Sequence, residues 1–241
     1  MKVLSIDTAS DVCGVSILDN ENLICNLDTI TGRTHSENLI PMIQEAFSKT
    51  NLQVKDMDLL ICDKGPGSFT GIRIGVATVK AFTDSFDIPC IGISSLESLA
   101  YNTKDLVYDN NYVCSIIDCK NQNCYFALYQ FTNGICTTLI SPSADTVEHS
   151  LELLKDYSNI LFIGDGATMY SDIIKDKSSN CQFISNSSLN NLNSISLALA
   201  GYDFFINNGT EKDLLPLYLR KPQAQRQLEE KTLLNNINKK E

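Results

Sequence analysis

The sequence is short of the residues from which most catalytic and metal-binding signatures are built. It has two histidines, and position 39, where a second imidazole would share a helix face with His35, is Leu39. His149 has no such companion either, which argues against a divalent-metal site of the HxxxH type. No GxSxG elbow is present, and no local signal pairs either histidine with a serine or cysteine nucleophile. Nine cysteines occur without a single CxxC spacing, so reduced and mostly buried thiols are expected instead of a disulfide framework or a zinc ribbon. Long apolar runs are missing too: no window of about 18–20 uninterrupted apolar residues exists, so no membrane span is expected. The opening MKVLSIDTAS passes directly into an alternating strand pattern instead of a signal-peptide block, which leads us to expect a cytoplasmic protein. Basic residues are outnumbered 19 to 29, and the formal charge of −10 disfavours an autonomous nucleic-acid binder that relies on broad attraction to phosphate.

What is present reads as a soluble globular chain. Its 241 residues include 43% hydrophobic and 20% charged side chains, ordinary proportions for a packed core. Residues 2–8, 13–18 and 23–28 are short, β-rich and separated by turn residues, and predict an antiparallel meander. A helix is predicted from Ser36 to Ser48, with Leu39, Ile40, Met42, Ile43, Ala46 and Phe47 at helical spacing. Two continuous apolar runs, Asp58–Asp63 and Ile88–Ile93, flank a helical segment from about Thr70 to Phe86, which together make a parallel crossover unit. The order then repeats: strands at Tyr112–Asp118, Cys124–Phe131 and Ile135–Ile140, a helix over Val147–Tyr157, and a strand Ile160–Ile163 ending in the glycine turn Gly164-Asp165-Gly166. A last helix is predicted over Leu192–Ile206, and from Tyr218 to Glu241 six basic residues face three acidic ones.

A duplicated three-strand meander with crossovers is similar to the actin-like ATPase and ribonuclease-H-like folds: an α/β protein with two mixed sheets flanked by helices. The expected organisation is an N-terminal lobe over 1–108, completed by a helix from 191–207, a C-terminal lobe over 109–190 and a basic tail over 208–241. In such folds an aspartate closes the first strand and a phosphate-facing turn follows. Asp7 and Asp118 occupy that place in the two halves, where each either holds Mg²⁺ or caps its own turn.

The densest motif is GPGSFTGIRIG over 65–75. It fails the Walker pattern GxxxxGK[ST] and lacks the third glycine of the dinucleotide fingerprint, leaving a glycine turn with a hydroxyl N-cap at Ser68 or Thr70. On a helical wheel the following residues are apolar almost all round, with Arg73 and Lys80 as the polar stripe, and Gly67, Gly71 and Gly75 recur every four residues. That spacing lets another backbone approach closely. The preceding helix shows a similar apolar surplus. Two readings stay open: a partner interface, or burial by the chain's own second half.

Five segments carry a resemblance: SIDTAS, THSENLIPMI (34–43), GPGSFTGIRIGVATVKAF (65–82), ISSLESLA (93–100) and LPLYLRKPQA (215–224). In this order and spacing they closely resemble the TsaB (YeaZ) family of bacterial tRNA threonylcarbamoyladenosine biosynthesis proteins. The chain departs from it at Asp118–Tyr125, where the family has a DAR…VY-like stretch and Lys120 stands in for the arginine's charge. The resemblance implies an actin-like fold and a non-catalytic subunit, a pseudoenzyme with no metal of its own. It would pair with a TsaD-type catalytic subunit and a TsaE-type ATPase to modify N6 of adenosine 37 in tRNA. It also implies pairing through a bundle of the two N-terminal helices, with a homodimer as the alternative when the chain is alone. The candidate contact residues are then His35, Leu39, Met42 and Ile43 on the first helix, and Phe69, Ile72, Arg73, Val76, Val79, Lys80 and Phe82 on the second. Asp7, Asp118, Gly164 and Gly166 would be a vestigial nucleotide site, with ADP or ATP taken, if at all, at a subunit junction. The rival reading is an active actin-fold ATPase or phosphotransferase using Asp7 and Asp118 around a Mg-nucleotide. A peptidase, a third reading, has no nucleophile–base pair to support it.

Overall fold

The computed structural model describes residues 1–30, 35–107, 111–178, 180–210 and 213–220. Thr34, which opens one of the family-like segments, and most of the basic tail, residues 211–212 and 221–241, lie outside the described residues. The first half forms β1 (Lys2–Asp7), β2 (Val12–Asp19), β3 (Asn22–Ile30), α1 (His35–Thr50), β4 (Leu59–Asp63), α2 (Phe69–Phe86), β5 (Cys90–Ile93) and α3 (Ser95–Tyr101). The second forms β6 (Tyr112–Asp118), β7 (Asn123–Thr132), β8 (Ile135–Thr146), α4 (Val147–Leu153), β9 (Ile160–Ile163), α5 (Asp165–Met169), α6 (Ser171–Lys177) and β10 (Gln182–Phe183). A long α7 (Ser194–Asn208) follows. Among the described residues these strands make two five-stranded sheets, ordered β3-β2-β1-β4-β5 and β8-β7-β6-β9-β10. In each, an antiparallel meander is extended by parallel strands, so one topology occurs twice, and the fold is a duplicated actin-like one.

Strand alternation decides which helix covers which face of the first sheet. Ile6 and Cys62 point to α2, whose Gly75 lies over them, while Ile61 points to Gly201 of α7 and the Ser5 hydroxyl donates to the Ser194 carbonyl at 2.7 Å. With helices on both sides, β1 and β4 are buried almost throughout, which is why they read as continuous apolar runs. A polar cluster seats the start of α7: the Ser194 hydroxyl lies 2.7 Å from both Ser16 Oγ and Asp28 Oδ1, so the helix is docked by satisfied groups. One core fills the first lobe and continues into Val113, Tyr129, Phe131 and Ile163 of the second. A separate core around Phe126, Phe162 and Ile174 lies under α4–α6.

The structure departs from the sequence expectations in several elements. Strand β8 runs on to Thr146, and the helix after it ends at Leu153, short of the expected Tyr157. Helix α7 starts at Ser194 because the Asn193 side chain caps it by accepting from Ser196 N. Helix α3 was not expected as a helix: six of its seven residues are buried, so no amphipathic period marks it. The Gly164 turn opens α5 directly. No helix among the described residues is long and apolar enough to cross a membrane.

The glycine series of α2 meets the chain's own backbone. A Cβ on Gly71 would stand 1.9 Å from the Thr8 carbonyl oxygen, and one on Gly67 would stand 2.2 Å from that of Ala9. The β1–β2 turn is therefore the close neighbour that the spacing of these glycines permits. The contact is tied by a 2.7 Å bond from Ser68 N–H to the Ala9 carbonyl and a 2.8 Å bond from the Thr8 hydroxyl to the Gly71 carbonyl. Replacing Gly71 with alanine forces α2 off this turn and is expected to lower stability by about 1–3 kcal/mol, read as a lower urea midpoint with unchanged slope.

Candidate functional site

A cleft of about 780 Å³ opens between the lobes. The first lobe contributes Pro66–Phe69 and Arg73 from the turn and first two helical turns of α2, together with Ala9–Val12 from the β1–β2 turn. The second contributes Ile117–Lys120, Tyr125 and Asp165. Helix α2 starts here because the Ser68 side chain caps it, accepting from Gly71 N–H at 3.2 Å.

Asp7 does not line this cleft. It is fully buried, and its parallel neighbour at the end of β4 is Asp63, one place beyond the Ile6–Cys62 pairing. The two carboxyl groups are held alike: Asp7 Oδ1 accepts from Ala9 N–H at 3.0 Å, and Asp63 Oδ1 from Gly65 N–H at 2.7 Å and the Ser95 hydroxyl at 2.6 Å. Among the described residues, each Oδ2 is buried without a partner. Burial, followed by the nearby Asp63 charge, pushes the Asp7 carboxyl well above the usual range, and burial pushes Asp63 up to about 7. In a dry interior each of two neighbouring carboxyls is held toward its protonated form, because burying one charge is costly and burying a second like charge near it costs more.

Asp118 does line the cleft, but its charge is already engaged. Lys120 Nζ lies 3.1 Å from Oδ2, Lys120 N–H donates to Oδ1 at 2.9 Å, and the Tyr170 hydroxyl donates to the same oxygen. Against the upward pull of burial, the Tyr170 and Lys120 bonds hold this carboxyl below its ordinary pKa. Asp165, beside it, accepts from the backbone N–H groups of Asp118 and Gly166, and burial raises its pKa. Gly164 and Gly166 do not line the cleft. A Cβ at either would strike β6, 2.1 Å from the Ile116 carbonyl oxygen or 2.6 Å from its side chain, so they serve to pack α5 on the sheet.

Among the described residues the two strand-end aspartates do not offer a free pair of Mg²⁺ ligands: Asp7 sits beneath the turn, and Asp118 is bonded to Lys120 and Tyr170. Sequence reasoning missed Asp63, Lys120 and Tyr170 as partners of the two strand-end aspartates. Only Asp63 left a signal, a carboxylate closing an apolar strand in the same way as Asp7.

The expected contact residues divide into two groups. Leu39, Met42, Ile43, Ile72, Val76 and Val79 are buried against the chain's own first sheet, between 0% and 8% exposed. The apolar surplus on these positions is thus used inside the fold, by the first lobe's own sheet and not by the second half. His35 is half-buried, its Nε2 2.7 Å from the Ser10 carbonyl oxygen. Outward on α2 lie Arg73, Ala77, Lys80 and Ala81, while Ile74 and Phe82 are half-buried against the core, Phe82 edge-on to exposed Phe86, and outward on α1 lies Ile40. Phe69 stacks on Tyr218 with ring centroids 4.3 Å apart, and Arg73 lies over both rings.

A family model described as TsaD, tRNA N6-adenosine threonylcarbamoyltransferase, matches residues 28–226. The tRNA threonylcarbamoyladenosine biosynthesis protein TsaB of Bacillus subtilis is 29% identical over 226 residues, 93% of this chain and 96% of that protein. Escherichia coli TsaB is 30% identical over 139 residues, 56% of this chain and 58% of its own length. The chain belongs to this TsaD-like family, on its TsaB (YeaZ) branch. Among solved structures, YeaZ from Pseudomonas aeruginosa superimposes with a TM-score of 0.74 at 22% identity, covering 90% of this chain and 99% of that one, which shows the same fold. The TsaD-like match includes α1 and α2 and both walls of the cleft at Phe69 and Asp118, but not Asp7.

The Asp7–Asp63 pair makes stability depend on pH. A carboxyl whose folded pKa lies above its unfolded value keeps a proton that the unfolded chain has released. The contribution of Asp63 is therefore fully present below pH 3.8 and is lost as the pH rises through about 7. Asp63→Asn keeps an acceptor for Gly65 and Ser95 and cannot ionise. It is expected to be more stable than wild type at pH 8, on the order of 1–3 kcal/mol, and level with it near pH 4, measured by urea denaturation across that range.

Proposed function

We propose that this chain is a non-catalytic subunit of tRNA N6-threonylcarbamoyladenosine biosynthesis and pairs with a TsaD-type catalytic subunit through the outer faces of α1 and α2. The observation that carries the reading is the outward surface of this helix pair. Exposed Ala77 and Ala81 sit one turn apart beside Arg73 and Lys80, with half-buried Ile74 at their edge, next to a helix exposing Ile40 at 44%. Small apolar residues there let a partner helix come close, while the inward residues hold the two helices rigidly on their sheet. A partner built on the same plan would present an equivalent pair, making a bundle of helices from two chains. Alone, the same face is open to a second copy of this chain.

The absence of a second imidazole at buried Leu39 and the engaged state of Asp118 support a supporting role over a catalytic one. In this reading a TsaE-type ATPase joins the pair, tRNA is bound by the assembled complex, and the work is done in the cytoplasm. Acting in a complex also reconciles a tRNA substrate with a chain of net charge −10.

The exposed position Ala77 is the place to test the contact. Val76 is only 6% exposed, so a charge there would test the fold and not the pairing. Mixed with the TsaD-type protein of the same organism, the wild-type chain is expected to give a one-to-one complex by light scattering. Ala77→Glu is expected to weaken it by at least about 2 kcal/mol, roughly thirtyfold in Kd, with unchanged thermal unfolding. A variant that pairs as tightly as wild type would sink the assignment of this face, and a wild-type chain that ignores that partner would sink the functional reading.

A further inference from the structure

Residues 214–220, beyond α7, belong neither to the pairing face nor to the lining of the cleft, yet they are fastened at several points. Leu214 is 3% exposed and rests against Gly92 of β5. Leu217 N–H donates to the Lys64 carbonyl at 2.6 Å, and the carbonyl of Leu217 lies against Gly65, at the entry to the α2 turn. Tyr218 stacks flat on Phe69, the two rings within 1° of parallel, and its hydroxyl accepts from Arg73 Nε at 2.8 Å. Two residues later the chain reaches the other lobe. Arg220 Nη1 donates to the Cys119 carbonyl at 3.0 Å and lies 2.9 Å from the Cys119 sulfur, on the β6–β7 turn.

Phe69 and Arg73 form part of one wall of the cleft and Cys119 part of the opposite wall. The stretch Tyr218–Arg220 thus joins the two walls from outside the cavity. The lobes also meet at α3, in a contact of a different kind. Leu99 lies against Gly164, Tyr101 is edge-on to Phe131 at 5.4 Å, and one core runs through both sheets, while at the helix end Asn102 donates to the Leu189 and Asn191 carbonyls. A packed joint of this sort turns or shears as a unit, whereas hydrogen bonds from one half-buried guanidinium break singly.

We propose that residues 214–220 are a latch that fixes the width of the interlobe cleft, and that release of Arg220 lets the second lobe swing on the α3 joint and opens the cleft. The latch is anchored at its first-lobe end by Leu214, Leu217 and the Tyr218 stack, so its second-lobe end is the one that lets go. It also connects the cleft to the first turns of α2, because Tyr218 holds Phe69 and Arg73 together.

The chain contains no tryptophan, so Tyr125→Trp, on the second wall of the cleft, is a single fluorescent reporter of access to it. Acrylamide quenching of that tryptophan in the full-length chain is expected to rise about twofold when Arg220→Ala is added, with an unchanged urea midpoint. Tyr218→Ala, which removes one of the three first-lobe anchors, is expected to give a smaller increase than Arg220→Ala, and Tyr218→Phe, which keeps the stack, a smaller one still. Equal quenching with and without Arg220 would overturn the latch. So would an increase matched by a fall in the urea midpoint, which would mark general loosening of the fold in place of an opening of the cleft.

Discussion

The close seating of α2 on the β1–β2 turn is the constraint on which the rest of this structure depends. Only glycine at 67 and 71 lets the helix backbone come this near to Thr8 and Ala9. With the contact made, Ile72, Val76 and Val79 are driven into the first sheet, and the opposite side of the helix, from Arg73 to Ala81, is set facing outward. The same contact puts the start of α2 at the lip of the cleft, where Phe69 and Arg73 meet both the lining and the Tyr218 stack. The proposed pairing face, the cleft wall and the proposed latch all take their positions from one backbone approach.

Electrostatics divides the two halves of a duplicated plan. Corresponding strand-end aspartates have opposite fates: Asp7 is buried beside a second carboxyl and held toward its neutral form, while Asp118 is charged and tied to Lys120 and Tyr170. The same strand-end position thus holds a near-neutral carboxyl in one half and a paired charge in the other, because the first is dry and the second lies beside a lysine and a tyrosine hydroxyl.

A large share of the fold was legible in the sequence. The two meanders, the crossover runs Asp58–Asp63 and Ile88–Ile93, and the long helices α1, α2 and α7 are each marked by period, run length or capping chemistry. The elements that were not legible are the short ones, α3, α5, α6 and β10, which are at most seven residues long and carry too few residues to show a period. The site was less legible than the fold. The partners of Asp118 and Asp7 lie 52 and 56 positions away at Tyr170 and Asp63, and no local pattern links residues so separated.

The sequence by itself determined that α1 and α2 are apolar over more than one face, that Leu39 leaves His35 without a metal partner, and which family the segments around 65–82 resemble. The tertiary structure alone decided which face of each helix points inward, what the glycines of α2 approach, and which carboxyls meet. The physical reason is that periodicity records which residues share a face but not where that face points. Direction and contact are fixed only when strands pair across long separations, as β1 does with β4.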